Sequence, residues 1–250
     1  MIIEKTIDRK AFIKKVFEKY KLSKELKNKK ILIKPNVVSD EDYPTTTHPD
    51  ILRYFIPLCR KYAKSIVIAD SPAIHLDTQT IIENHKLNHI CKKLGVKFLD
   101  MTSCETIKKK VEDRVYDIFV LPFEFDYIIS LPTLKEHKIC VMTAALKNQF
   151  GFLSHKCRYR LHHGGDINRA IADINHIIKP NFFIIDAIDI LLKAQEVRHG
   201  GKMIHMGYML AGKNATQLDK ICFKLLKSVD KSIVDKRVKY INIIENMKLK

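Results

Sequence analysis

The sequence has no cysteines at the spacing that metal and redox motifs use. Its six cysteines are scattered along the chain, and no two of them form a C-x-x-C motif. This spacing excludes a zinc ribbon, a thioredoxin-type motif and a self-contained iron–sulfur cluster, because each of these needs closely spaced thiolates. Scattered cysteines in a reducing compartment usually serve as small buried hydrophobic residues. We therefore expect no cofactor to be bound by the protein's own cysteines.

Long apolar runs and glycine-rich nucleotide motifs are also missing. No segment approaches the roughly 18 apolar residues that a membrane helix needs, and residues 1–12 contain no apolar run of signal-peptide length. We expect a cytoplasmic protein that does not associate with membranes. No G-x-G-x-x-G follows a predicted strand and no G-x-x-x-x-G-K-[ST] is present, which disfavours ordinary dinucleotide binding and P-loop nucleotide hydrolysis.

Aromatic residues are few, whereas positive charge is in large excess. Tryptophan is absent, and the 45 Lys and Arg residues less the 28 Asp and Glu residues leave a net charge of +17. This excess favours anionic partners, which include nucleic acid, acidic proteins and phosphorylated metabolites. A lysine-rich proteome would also produce it, because most of the excess is lysine on predicted helices. Since no nucleic-acid-binding motif is recognised, a nucleic-acid-binding module remains an alternative that we rank below a small anionic ligand.

Helical and strand-like patterns alternate along the whole chain. Amphipathic spacing predicts helices over residues 8–27, 77–94, about 139–149 and 166–178, and a basic helical tail from about 215. Short buried runs such as SIVIAD, DYIISLP and NFFIIDAID predict strands. Strands that alternate with helices form βαβ units, so we predict a single α/β domain over residues 1–250, with a largely parallel sheet and helices on both faces.

Polar and charged residues follow the predicted strands at their carboxyl ends. Ligands bind beyond these ends in open parallel sheets, because the loops converge there and helix N-termini point inward. We predict a cleft at this edge that binds a small phosphate- or carboxylate-bearing anion. The residues that the strands would deliver to it are Lys34, Asn36, Asp70, Ser71, Lys135, His137 and Asp186.

Three of these residues are predicted to be catalytic. His137 is the acid–base candidate, because a histidine exchanges protons near neutral pH. Lys135 lies in the same predicted loop, where a partly desolvated lysine could bind an oxyanion or act as a base. Asp186 would position a base or a metal ion, a role that Asp70 could also fill. No metal-binding residue is predicted.

Lys147 and Asn148 close the predicted helix over about 139–149, and we predict that both bind substrate. For Lys147 there is a simpler alternative, since a lysine in the last turn before Gly151 is ordinary C-terminal capping. Its neighbours Lys135 and His137 favour the binding role.

Two further segments supply substrate-binding candidates. YPTTTHPD places Thr47 and His48 at a probable helix N-terminus, where hydroxyl and backbone N–H groups suit an anion, although either residue could equally cap the helix. HKCRYRLHHGGD supplies His155, Arg158, Arg160, His162 and His163 before two glycines, and His162 and His163 are the substrate-binding candidates among them. These tandem histidines lack a clear metal spacing, so an anion-binding or lid loop is favoured over a zinc site.

Several motifs occur together in an order typical of one family. They are KPNVV at 34–38, TTTHPDILRYFIPLC at 45–59, IADSP at 68–72, LPTLKEHKICVMTAALKNQFG at 131–151, HHGGDINRAIADIN at 162–175 and IIDAID at 184–189. With them the chain resembles the domain of unknown function 362 family over nearly its whole length. This resemblance implies a cytoplasmic α/β protein associated with iron–sulfur redox chemistry, because many relatives carry a fused ferredoxin-like module for four-iron clusters.

This chain departs from the family in two places. It lacks the module's cysteines and ends in a basic helix, so an iron–sulfur cluster would have to come from a partner, for which an acidic ferredoxin-like protein would suit the charge. After Asp186 the acidic, glycine- and proline-rich segment of the family is replaced by LLKAQEVRHGGKMIHMG. The first hypothesis is an enzyme that acts on a small anion. The two alternative functions are a nucleic-acid-binding module, and a non-catalytic docking or assembly protein for an iron–sulfur partner.

Overall fold

A computed structural model describes residues 1–73, 76–233 and 236–248. The strands are β1 (Ile2–Lys5), β2 (Lys30–Pro35), β3 (Ser65–Asp70), β4 (Lys97–Asp100), β5 (Thr106–Val111), β6 (Arg114–Phe119), β7 (Tyr127–Leu131), β8 (Thr133–His137), β9 (Val141–Thr143), β10 (Phe182–Leu192) and β11 (Lys202–Gly212). The α-helices are α1 (Arg9–Lys19), α2 (Leu22–Glu25), α3 (Pro49–Arg60), α4 (Thr78–Asn84), α5 (Lys86–Lys93), α6 (Ala145–Asn148), α7 (His155–His162), α8 (Ile167–Ile177), α9 (Ala215–Val229) and α10 (Lys239–Lys248).

One mixed sheet organises the molecule, in the order β1-β11-β10-β7-β2-β3-β4. The strands from β10 to β4 are parallel to their neighbours, whereas β11 is antiparallel to β10 and to β1. β8 continues the path of β7 beyond Pro132, pairs parallel with β10, and forms a hairpin with β9. β5 and β6 form a separate antiparallel pair. The predicted α/β fold with a largely parallel sheet is confirmed.

Helices cover both faces of the sheet, because adjacent residues of a strand point to opposite sides. In β2, Ile31 and Ile33 pack into a core with residues from α1, α3 and α5, while Leu32 packs into a core with residues from α8, α9 and α10. This burial on both faces explains why the strands read as apolar runs rather than as an alternating pattern. Within the described ranges, no helix is long and apolar enough to cross a membrane.

Local structure differs from the prediction in three segments. The helix predicted over about 139–149 is in fact the strand β9 followed by the single turn α6, because a short apolar run does not distinguish strand from helix. The predicted loop that contains Lys135 and His137 is the strand β8. The predicted lid loop before Gly164 is the helix α7, whose first turn is capped by the Ser154 hydroxyl.

The basic tail is helical, as predicted, but divides into α9 and α10. Of the residues between them, 234 and 235 lie outside the described residues. Asp219 of α9 accepts hydrogen bonds from the backbone N–H groups of Ala145 and Leu146, at 2.7 and 3.1 Å. Since these N–H groups open α6, the tail helix helps to fix the position of the short helix that bears Lys147.

Candidate functional site

A cavity of about 460 Å³ opens at the carboxyl ends of β2, β3 and β8. Nine of the thirteen predicted site residues line it: Lys34, Asn36, Asp70, Ser71, Lys135, His137, Lys147, Asn148 and His162. They come from five different parts of the chain, which the sheet brings to one edge.

A buried ion pair forms one wall of the cavity. Lys34 Nζ lies 2.5 Å from Asp70 Oδ1, and both side chains are almost fully buried. The Asp70 carboxylate also accepts hydrogen bonds from the backbone N–H groups of Val37, at 2.7 Å, and Ser71, at 2.9 Å. Burial lowers the pKa of Lys34, and the neighbouring Asp70 opposes that shift. The negative charge of Asp70 is therefore already satisfied by groups of the protein.

Lys135 is the most deeply buried cation of the site, with 0% of its surface exposed. Its ammonium group donates to Asn36 Oδ1 at 2.6 Å and to the Thr45 carbonyl at 2.5 Å. Burial, assisted by the nearby charge of Lys147, lowers the pKa of Lys135 to about 7. At neutral pH this side chain can therefore both give up and accept a proton.

His137 is held in its neutral form. Its Nδ1 accepts hydrogen bonds from the backbone N–H groups of Ile139 and Cys140, both at 3.2 Å. Burial, and then the charge of Lys147, lower the pKa of His137 well below its usual value. Since Nδ1 is an acceptor, the proton of the neutral ring is on Nε2. His137 therefore offers the cavity a hydrogen-bond donor.

The short helix α6 contributes Lys147 and Asn148. The Asn148 amide donates to Ser130 Oγ at 2.9 Å and to the Pro35 carbonyl at 3.3 Å, which ties the helix to β7 and β2. Lys147 is partly buried, and its ammonium lies 5.6 Å from the centre of the Phe150 ring. Within the described part of the chain, no carboxylate lies at ion-pair distance from Lys147. Its charge is therefore available to a ligand.

The helix α7 supplies Arg158 and His162. Arg158 is 6% exposed, and its Nη1 donates to the carbonyls of Ser71 and Pro72, both at 3.1 Å. His162 Nδ1 lies 2.8 Å from the Arg158 carbonyl. Arg158 lies within the predicted anion-binding or lid loop but was not assigned to the predicted site. Its position four residues before His162 was the available signal, because residues at that spacing share one face of a helix.

The segment after β10 closes the rim of the cavity with Glu196 and Arg198. Arg198 Nε lies 3.4 Å from Glu196 and 2.8 Å from Glu41, and the Glu41 carboxylate also accepts the backbone N–H groups of Val197 and Arg198. These contacts hold the pKa of Glu41 at about 2 despite its burial. The sequence prediction missed this rim, because it placed the end of β10 near Asp186, whereas the strand ends at Leu192 and the rim follows it.

Four predicted site residues do not line the cavity. Asp186 lies on the α1 side of the sheet, where it accepts from Arg9 Nε at 2.7 Å and from the Tyr43 hydroxyl at 2.9 Å. The Thr47 hydroxyl bridges the Leu131 carbonyl and the Asn36 N–H. The remaining two occupy helix ends: His48 caps α3 through Nδ1, and His163, at the end of α7, stacks on Tyr159 with 4.0 Å between ring centres.

The prediction that Asp186 lines the cavity is therefore corrected. The prediction took it as the end of a strand, but β10 continues to Leu192 and places Asp186 in its middle. His48 caps α3, which was the alternative considered from the sequence. Thr47 does not cap the helix, and its hydroxyl is used by Asn36 and Leu131 instead.

The charges that line the cavity are predominantly positive. Its basic residues are Lys34, Lys135, Lys147, Arg158 and Arg198, with three histidines beside them. The acidic residues of the lining are Asp70 and Glu196, and each already has a cationic partner. Among residues 1–73, 76–233 and 236–248, no group of three or more His, Cys, Asp or Glu side chains is arranged to hold a metal ion. The chemistry of this site therefore favours an anionic ligand.

Comparison with protein families identifies the chain. The family described as "Domain of unknown function (DUF362)" matches residues 31–224, and the chain belongs to that family. The matched segment includes all nine predicted residues that line the cavity. Among curated proteins, none matches the chain.

A solved structure shares the fold. The lactate racemase apoprotein from Thermoanaerobacterium thermosaccharolyticum superposes with a TM-score of 0.60 at 14% sequence identity. The match covers 88% of this chain and 56% of the other, so this chain spans little more than half the length of that protein. At this identity the likeness shows a common fold and no more.

Proposed function

We propose that this member of the DUF362 family is an enzyme that binds a small carboxylate- or phosphate-bearing substrate in the cavity at the carboxyl ends of β2, β3 and β8. One observation carries the proposal: basic side chains converge there from five separate segments, and both acidic residues of the lining are already paired. Burying a cation without an acidic partner lowers the stability of the folded protein. An anion bound in the cavity would offset that loss.

Lys135 is the group that we assign to proton transfer. Its pKa of about 7 lies near the operating pH, which is the condition for an efficient general acid or base. His137, the acid–base candidate from the sequence, is better suited to donate a hydrogen bond, because its Nδ1 is already occupied by two backbone N–H groups. Lys147 supplies a positive charge that no carboxylate of the described ranges neutralises.

Thermal unfolding against a panel of small anions tests the proposal. The panel contains inorganic phosphate, phosphorylated sugars, lactate, other small carboxylates and short oligonucleotides. A ligand at about 100 times its dissociation constant stabilises the folded state by about 2.7 kcal/mol, which raises Tm by about 5–10 °C in a domain of this size. We expect a salt-tolerant rise with one class of small anion, and its loss in Lys135→Ala.

Lys138→Ala is the matched control. It removes the same charge three residues away, from an exposed side chain outside the cavity lining, and should leave the rise in Tm intact. A rise caused only by oligonucleotides, and abolished by moderate salt, would instead support the nucleic-acid alternative and would contradict a substrate cavity.

A further inference from the structure

Arg158 is anchored in the cavity wall by only one corner of its guanidinium group. Nη1 donates to two backbone carbonyls, those of Ser71 and Pro72, in the segment that follows β3. These bonds fix the plane of the group without using its other donors. Because α7 carries Arg158 and the carbonyls follow β3, both elements determine where the remaining donors lie.

The other two nitrogens of the group have no partner. Nε and Nη2 are buried, and neither makes a hydrogen bond among the described residues. A buried donor without an acceptor destabilises the folded protein, and more strongly when it is charged. Native proteins rarely leave such groups unpaired, so an unsatisfied arginine edge in a cavity wall calls for a specific explanation.

No described carboxylate satisfies this edge. Asp70 is bound by Lys34 and by two backbone N–H groups. Asp100 accepts from the side chains of Thr78 and Thr102 and from the Thr102 N–H. Both carboxylates act on Arg158 through charge alone, and burial remains the dominant influence, so that the pKa of Arg158 falls to about 10.

The geometry of the edge indicates what would satisfy it. The Nε–H and one Nη2–H of a guanidinium group lie side by side in its plane, spaced to meet two oxygens of one carboxylate or phosphate. Lys147, a second basic residue of the same wall, has no carboxylate partner among the residues that the structure describes. Lys147 and Arg158 line the same cavity. Burial lowers the pKa of Lys147, and the like charge of Arg158 lowers it further. An anion between them would offset this effect of like charge.

We propose that the Nε–Nη2 edge of Arg158 recognises the oxyanion of the substrate by two parallel hydrogen bonds, with Lys147 supplying the second positive charge. This inference rests on the proposed function and specifies it further. It requires a ligand with two oxygens on one atom, which a carboxylate and a phosphate group both provide.

Arg158→Lys tests the edge, because it keeps the positive charge and removes the planar pair of donors. Binding of inorganic phosphate and of lactate is measured by calorimetry in the wild-type protein and the variant. In Arg158→Lys we expect the affinity for whichever of the two anions binds to fall at least about tenfold, because the variant loses a charged bidentate contact. Arg160→Lys is the control, because Arg160 lies on the same helix with an exposed side chain, and it should change the affinity less than twofold.

A second measurement needs no variant. The ¹⁵Nε–¹Hε NMR signal of Arg158 should shift downfield on addition of the probe that binds, and whether phosphate or lactate produces the shift identifies the oxyanion source. Tight binding that survives in Arg158→Lys, with an unmoved Nε signal, would overturn the role of Arg158 while leaving the substrate cavity intact. Failure of the wild-type protein to bind any small anion would overturn both proposals.

Discussion

At the scale of single residues, Lys135 shows how its surroundings change the chemistry of a side chain. A lysine in water has a pKa near 10.4 and carries a proton at all physiological pH values. Lys135 is fully buried beside Lys147, and among the described residues its hydrogen bonds go to neutral oxygens of Asn36 and Thr45. Burial, and then the charge of Lys147, lower its pKa to about 7.

This pKa predicts how the stability of the protein depends on pH. Between pH 7 and 10.5 the unfolded chain keeps the proton on Lys135 and the folded protein releases it, so unfolding takes up a proton. The free energy of unfolding should therefore rise with pH across this window, by up to about 1.4 kcal/mol per pH unit from this group. Lys135→Met should lose this contribution.

Urea unfolding at pH 7, 8 and 9 provides the measurement. The wild-type protein and Lys135→Met are compared with Lys138→Met, whose exposed lysine should leave the pH dependence unchanged. Parallel pH profiles for all three proteins would show that the pKa of Lys135 is not lowered in the folded state.

At the scale of structural elements, the site depends on a close approach between the turn after α6 and the end of β2. Gly151 lies in this turn, and its carbonyl accepts a hydrogen bond from Ser71 Oγ at 2.6 Å. A Cβ atom on Gly151 would lie 3.0 Å from Lys34 Nζ and 3.1 Å from Asp70 Oδ1. Glycine is therefore required at this position because a side chain would press on the buried ion pair.

Gly151→Ala should destabilise the protein by about 1–2 kcal/mol, which is a typical cost of overpacking a buried site. It should also weaken anion binding, because the added Cβ would displace the ammonium group of Lys34, which lines the cavity. Gly212→Ala is the comparison variant, since its added Cβ would meet no atom closer than 3.4 Å. Chemical unfolding and ligand titration of both variants measure the two effects, and equal stability of the two would refute this account of Gly151.

At the scale of the whole molecule, the net charge of +17 has two separate parts. A small number of basic residues line the cavity, while many others lie on the surface, such as Lys108 and Lys110 on the exposed side of β5. Exposed charges are screened by salt, whereas charges in a cavity are screened much less. The expected docking of an acidic ferredoxin-like protein would use the surface charges. That partner, the cytoplasmic location and the link to iron–sulfur chemistry all stay predictions.

The two parts should respond differently to salt. Any affinity for an oligonucleotide should fall at least about tenfold between 50 and 200 mM salt, and the double variant Lys108→Gln, Lys110→Gln should weaken it further. The same variant should leave the stabilisation by a small anion unchanged. Thermal unfolding and fluorescence anisotropy at both salt concentrations measure these responses. Loss of the small-anion effect in the double variant would locate anion binding on the surface instead of in the cavity.

Much of the architecture could be predicted because burial on both faces leaves a strong local signal. Apolar runs such as those of β2 and β3 identified the central strands, and the rule for the carboxyl edge then grouped Lys34, Asp70 and Lys135 correctly. The rule failed for Asp186, because it depends on where a strand ends, and β10 runs six residues beyond that point. It also could not place Arg158, which reaches the cavity from a helix.

The sequence by itself determined the α/β class, the family and the edge of the sheet at which basic residues gather, since these follow from local patterns of burial and from shared motifs. Only the tertiary structure decided which charges are paired. Asp70 satisfies Lys34 across two strands, while Lys135, Lys147 and the Nε–Nη2 edge of Arg158 have no carboxylate partner within the described residues. Pairing depends on distances between segments that are far apart along the chain, and no local pattern encodes those distances.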